Sequence, residues 1–221
     1  MRKVLVLVEG QTEETFVRDV LAPYLLEGFS KSVVPKILVT KRAKSGAQFK
    51  GGVSSYYRVK GDLDRLLGDS SAATVTTMLD YYALPADFPG RAGLPAGADP
   101  YQKVQALEAA FRADVVNARF LPYFSLHEFE ALLFVDPASA SRVYGDERRI
   151  VQALEGVRDR FDGKPELIDG HPSTAPSKRI EGAFPSYQKP LHGPLAAAAA
   201  GLAKLRAACP HFDAWVTALE S

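Results

Sequence analysis

Apolar residues fill every position from Val4 to Val8, with valine at alternate places, the pattern of a parallel strand covered on both faces. Glu9 and Gly10 end the run. Beyond them the period changes. Phe16, Val17, Val20, Leu21, Tyr24 and Leu25 recur at three- and four-residue steps, the spacing of one helix face. Thr12 is placed to cap that helix, Glu13 and Glu14 sit in a first turn whose dipole favours anions, and Pro23 is set to kink or end it. Val33 to Thr40 reads as a second strand with an early proline, followed by a basic, Gly-rich loop from Lys41 to Gly52. Ser55 to Leu67 returns to helical spacing through Tyr56, Val59, Leu63, Leu66 and Leu67, and Gly68-Asp69-Ser70-Ser71 closes it.

A third strand, Ala73 to Leu79, again stops at an acid, Asp80. The segment from Ala83 to Pro100 holds four prolines and three glycines, too broken for regular structure and long enough for a lid or partner surface. Helix resumes from Tyr101 to Asn117. Phe120 to Leu126 forms a fourth strand that runs into His127-Glu128-Phe129-Glu130. This alternation predicts a three-layer α/β domain with a mostly parallel four-stranded sheet over residues 1–135. Residues 136–221 read as an α-helical extension packing on it, with a short helix near Arg148 to Arg160, a strong helix former from Pro194 to Cys209, and a closing apolar helix from Phe212 to Leu219.

Composition narrows the class. With 47% hydrophobic and 24% charged residues the chain has the make-up of a globular protein able to bury a real core. It has no run of about 20 apolar residues that would span a membrane, and its N-terminus is too short and too quickly acidic for a signal peptide, so the expected location is cytoplasmic. The single Cys209 excludes an internal disulfide and a cysteine zinc cage. The net charge of +1 hides an uneven distribution: residues 28–61 hold eight Lys or Arg and no acid, leaving −7 elsewhere. Lys41, Arg42, Lys44, Lys50, Arg58 and Lys60, interleaved with Phe49, Tyr56 and Tyr57, suit a polyphosphate backbone with stacking bases. They suit a solvated lysine-rich loop equally.

The repeated strand-then-acid motif carries the chemistry. In open parallel sheets ligands gather at the carboxyl ends of the strands, where Glu9, Asp80, Glu128 and Glu130 all fall. Acids converging there repel one another unless lysines or a hard cation neutralise them, and oxygen-only ligands favour Mg²⁺ or Mn²⁺. A single acid after a strand is also an ordinary capping residue, and either Glu128 or Glu130 is free to face inward. His127 and Glu130 lack a third partner for zinc. In the proline-flanked loop, Lys178 is placed to stabilise charge on a phosphate, and Ser177-Lys178-Arg179 reads equally as a capped helix start with two exposed cations. Lys189 and His192 are further candidates of the same type.

Taken in order, V-E-G-Q-T-E-E-T-F, L-D-Y-Y-A-L-P, S-L-H-E-F-E-A-L-L-F, P-S-K-R-I and C-P-H-F-D-A-W resemble a bacterial family of unknown function with a Toprim-like fold, related to the overcoming-lysogenization-defect (OLD) nucleases. Toprim domains carry a strand-end glutamate and a later Asp-x-Asp that bind Mg²⁺. The resemblance places Glu9 at the glutamate and Asp80 at the first aspartate, while Tyr82 stands where the second would be, so Glu128 or Glu130 must complete the set. It implies a Mg²⁺- or Mn²⁺-dependent phosphodiesterase, a nuclease on nucleic acid with DNA favoured, acting in phage defence beside an ATPase subunit. Arg179 and the basic stretch would hold the backbone and Lys178 would assist. The alternative expectation is a non-catalytic Toprim-like binding subunit of such an ATPase complex; the sequence leaves an oligomer open.

Overall fold

The computed structural model describes residues 1–38, 53, 55–82, 84–94, 97–145, 147–168, 171 and 173–221. Its centre is a parallel sheet in the order β2 (Lys31–Ile37), β1 (Arg2–Val8), β3 (Ala72–Asp80), β4 (Phe120–Leu121), with β5 (Phe124–Ser125) also on β3. β4 and β5 are one strand interrupted: Val75 pairs Phe120 and Asp80 pairs Ser125 in the same register. The break falls at Pro122, which has no N–H to give to a ladder. Across it the Thr77 hydroxyl donates to the Tyr123 carbonyl and accepts from the Tyr123 N–H, at 2.8 and 2.9 Å.

Alternate residues of β1 face two cores, which makes the architecture three-layered. Val4, Val6 and Val8 pack with Phe16, Leu21 and Leu25 on one side; Leu5 and Leu7 pack with Val59, Leu63, Leu107 and Phe111 of α3 (Tyr56–Leu67) and α4 (Pro100–Val115) on the other. The first core also takes in Ala196, Ala197, Phe212, Trp215 and Val216, so the helices beyond residue 135 complete a layer of the sheet.

Several elements depart from the sequence expectations. The first helix begins at Gln11 with Gly10 as its cap residue, and Thr12 is buried instead of capping. Pro23 neither ends nor breaks it: α1 (Gln11–Phe16) passes through a π-helical turn at Val17–Leu21 into α2 (Ala22–Phe29), the wider turn just before the proline absorbing its missing N–H. The second strand begins two residues earlier than expected and ends at Ile37, and residues 39–52 lie outside the described residues. The alanine-rich C-terminal helix is two. α8 (Lys189–Ala200) stops at Gly201, whose φ of 85° is left-handed, and α9 (Leu202–Ala208) follows. Between the fourth strand and α8 lie a 3-10 stretch at Phe129–Phe134, α5 (Pro137–Val143), α6 (Arg148–Asp159), a 3-10 turn at Pro165–Leu167 and α7 (Pro176–Ala183), and α10 (Pro210–Glu220) closes the chain. Among the described residues, no helix is long and apolar enough to cross a membrane.

Candidate functional site

From β1 the chain crosses outward to β2 and then returns past β1 to β3, so β1 and β3 flank the point where strand order reverses. Parallel strands put their carboxyl ends on one side, and at that reversal the loops part to leave a crevice. Glu9 follows the last residue of β1 and Asp80 is the last of β3. The 3-10 stretch after the fourth strand brings Glu128 and Glu130 to the same place.

Asp80 is 4% exposed and Glu130 fully buried. One Asp80 oxygen accepts the Phe129 N–H at 2.9 Å, and the Asp80 N–H donates to Glu9 at 3.2 Å. The first turn of α1 adds Glu13, 2% exposed, which accepts the Gly10 N–H at 3.0 Å. Opposite these acids stands one ammonium, that of Lys189 at the start of α8, 2.8 Å from Glu130 Oε2 and 3.4 Å from Asp80 Oδ2. Tyr187 donates its hydroxyl to the other Glu130 oxygen at 3.2 Å. Lys189 reaches this position because α8 lies close on α1: a β-carbon at Gly193 would meet the Thr12 methyl at 3.1 Å and the Tyr187 hydroxyl at 3.2 Å.

The charges do not balance. Burial, reinforced by Asp80 and Glu13, pushes the Glu9 carboxyl up to about 8 against the pull of Lys189. Burial and Asp80 push Glu13 up to about 7. Burial raises Glu130 to about 7, with Lys189 opposing and Asp80 and Glu128 adding to it. Asp80 is also raised, mainly by burial. Lys189 is held well above its ordinary value: burial disfavours its charge, and Glu130, Asp80 and Glu13 more than offset that. Among the described residues, a buried cluster with more acid than base binds protons or cations.

The family model for a domain of unknown function, DUF4276, matches residues 8–220. The chain belongs to that family. A search of curated proteins returns no match. Among solved structures, S. aureus homoserine dehydrogenase at pH 8.5 superposes with a TM-score of 0.28 and 12% identity, over 81% of this chain and 48% of that one. The chain thus spans about half the length of the dehydrogenase, and nothing about activity is carried over from it.

Of the site residues expected from the sequence, Glu9, Asp80 and Glu130 lie together with Lys189. Glu128 stands at the margin, where one of its oxygens accepts the Ser177 N–H at 2.9 Å and so caps α7, while its charge still reaches Asp80 and Glu130. Lys178 lies elsewhere. It projects from α7 toward solvent and pairs with Glu181 at 2.6 Å, so the lysine at the carboxylates is Lys189. Of the described basic residues, Arg58 and Lys60 line one cleft on α3 beside exposed Tyr57, with Lys60 paired to Asp114 at 3.2 Å, while Arg179 donates to the Thr174 carbonyl at 2.6 Å and lies over the Phe161 ring. Lys41, Arg42, Lys44 and Lys50 lie outside the described residues. Glu13 escaped the sequence reading as a site residue because acids in a first helical turn are common; its signal was the shared stripe with Phe16 and Val17, three and four residues on.

Proposed function

We propose that the chain is a Mg²⁺- or Mn²⁺-dependent phosphodiesterase acting on nucleic acid. The reading rests on one observation: Glu9, Glu13, Asp80 and Glu130 crowd the strand ends around Lys189, the one ammonium that the described residues place there. Among the described residues, no group of three or more His, Cys, Asp or Glu side chains is placed to hold a metal ion. The donor chemistry nevertheless fits a hard cation, since every ligand atom offered is a carboxylate oxygen and the excess negative charge is buried. Glu9, Asp80 and Glu130 would hold the ion, with Glu128 at the margin. When bound, it supplies positive charge to a phosphate and acidity to water.

The protein's own groups do the rest. The Phe129 N–H fixes one Asp80 oxygen and leaves the other toward the crevice. Lys189 stands where it can offer charge to a phosphate oxygen in the transition state. Glu13, with its carboxyl near 7, is suited to hold or release a proton on the oxygen that Gly10 does not bind. The nucleic-acid substrate, the kinship with Toprim and OLD nucleases, the role in phage defence and the ATPase partner are taken from the motif resemblance.

A second reading has its own support. Lys189 already serves as a counter-ion, and Tyr82 replaces the second aspartate of the resembled motif, as in a binding subunit that has given up its metal. Calorimetric titration with Mn²⁺ separates the two. The catalytic reading expects saturable binding to the wild type, loss of binding in Glu9→Gln, and Mn²⁺-dependent nicking of plasmid DNA; a wild type that binds no Mn²⁺ overturns it in favour of the subunit reading, and Mn²⁺ binding without nicking overturns the nuclease activity while keeping the metal site.

A further inference from the structure

Directly beside the carboxylates, a cleft of about 280 Å³ is lined by Tyr81, Tyr82, Arg91 and His127. Tyr81 and Tyr82 follow Asp80 in the chain, so the cleft and the acid cluster share a wall. The backbone of that wall is fixed: the Tyr81 N–H donates to the Ser125 carbonyl at 3.0 Å and the Tyr82 N–H to the His127 carbonyl at 3.1 Å, extending the ladder past the sheet's end. His127 holds this position with a φ of 66°, a left-handed conformation unusual for a side chain of its size. Its ring stands edge-on to Tyr81, with centroids 6.2 Å apart.

Arg91 faces the same space. It opens the 3-10 turn Arg91–Gly93, and among the described residues no hydrogen bond or ion pair holds its guanidinium. The volume lies just below the ~300 Å³ at which small-molecule sites begin, and so fits one flat group and its anion rather than a long ligand. Two phenol rings and an imidazole give the cleft a mixed, slightly more polar than apolar lining with planar groups for a base to lie against; the guanidinium offers a planar fork for phosphate.

Resting on the phosphodiesterase reading, we infer that this cleft is a subsite for one unpaired nucleotide, its base against the Tyr82 and Tyr81 rings and its phosphate on Arg91, next to the bond presented to the acids. A base can reach such a wall only when it is neither paired nor stacked in a duplex. The substrate class is therefore single-stranded nucleic acid, or a single-stranded end or flap.

The test needs neither metal nor cleavage. Fluorescence anisotropy with a labelled 12-nucleotide oligothymidylate, in EDTA at about 50 mM salt, measures binding by the full chain; a labelled duplex of equal length is the control. The wild type should prefer the single strand. Tyr82→Ala should weaken that binding by about 5- to 150-fold, the range of one lost base stack. Arg91→Ala should weaken it and lower the salt dependence by about one phosphate contact. Tyr82→Phe, which keeps the ring, should bind as the wild type does, and thermal melting of each variant excludes misfolding. Equal affinity for duplex, or unchanged affinity in both Tyr82→Ala and Arg91→Ala, overturns the subsite. Because the ion is absent throughout, failure here is distinct from failure of Mn²⁺ binding.

Discussion

Two buried groups of acids in this molecule have opposite character. At the N-terminus of α10, Glu166 is 2% exposed, yet both of its oxygens are met: one accepts the His211 N–H at 3.0 Å and the other the Phe212 N–H at 2.9 Å. His211 in turn pairs with Glu108 at 3.0 Å. Glu108 also accepts the Phe124 N–H at 3.0 Å, so both acids there are met by backbone donors, and the helix dipole adds to the match. At the strand ends, Glu9, Glu13, Asp80 and Glu130 draw on one lysine among the described residues, Lys189. A buried acid with private donors is a structural fastener. Buried acids competing for one cation are held in a state that folding alone would not choose, and such sites are where function is sought.

The sharpest way to break this contrast is to neutralise one member of the crowded group. Asp80→Asn keeps an oxygen for the Phe129 N–H and removes a repelling charge, so the metal-free protein should melt no lower than the wild type. Mn²⁺-dependent nicking should fall by on the order of 100-fold or more. Parallel melting and plasmid assays read both quantities, and a variant that is destabilised but still active would place Asp80 among the fasteners.

The reciprocal change is Glu166→Ala. It leaves two buried N–H groups without acceptors and strips α10 of its cap, a loss of about 2 to 4 kcal/mol. A melting temperature lower by about 5 to 15 °C should result, with activity per folded molecule retained.

Acidity separates the two groups next. The folded protein holds protons on Glu9, Glu13 and Glu130 at values of about 7 to 8, while the unfolded chain releases them near 4.5. Between those limits the folded state binds more protons, so their contribution to stability is whole below about pH 4.5 and is lost as pH rises toward 8. In EDTA the melting temperature should decline across that window, and saturating Mn²⁺ should flatten the decline. A metal-free profile that rises from pH 5 to 8 would contradict the crowding.

Lys189 links crowding to binding. Lys189→Met removes the shared counter-ion, and because its side chain is 37% exposed the cost should be about 1 to 3 kcal/mol, less than the ~3 to 5 of a fully buried pair. With the internal cation gone, Mn²⁺ should bind more tightly. Unchanged stability together with unchanged Mn²⁺ affinity would mean that the acids do not share it.

The parts of this site that the sequence discloses are those written locally. Val4 to Val8 followed by Glu9, and Ala73 to Leu79 followed by Asp80, announce both the parallel strands and the acids at their ends, because strand burial and strand termination are short-range patterns. The fourth strand was legible for the same reason, although its interruption at Pro122, bridged by the Thr77 hydroxyl, depends on a partner 46 residues away. Lys189 is of that second kind. Nothing near Q-K-P-L-H-G-P says that α8 will lie on α1, because the permission comes from the bare backbone at Gly193 against Thr12 and Tyr187. Gly201 was masked by its alanine neighbours, whose helix propensity outweighs one glycine in a window but not a φ of 85°.

The smallest effect tests the distinction between two lysines that the sequence presents alike. Lys178 and Lys189 both lie near the start of a helix with Pro in its first turn. Lys178 is half-exposed and pairs with Glu181 three residues on, an arrangement worth about 0.2 to 0.5 kcal/mol. Lys178→Ala should therefore move stability by no more than about 0.5 kcal/mol and leave Mn²⁺ affinity and nicking within about twofold of the wild type. Its backbone neighbour Ser177, by contrast, donates the N–H that holds Glu128. If Lys178→Ala reduced nicking as Lys189→Met alters metal binding, the helix that Glu128 caps would have to turn its lysine inward when substrate binds, and the divide between paired and crowded charges would shift with the ligand.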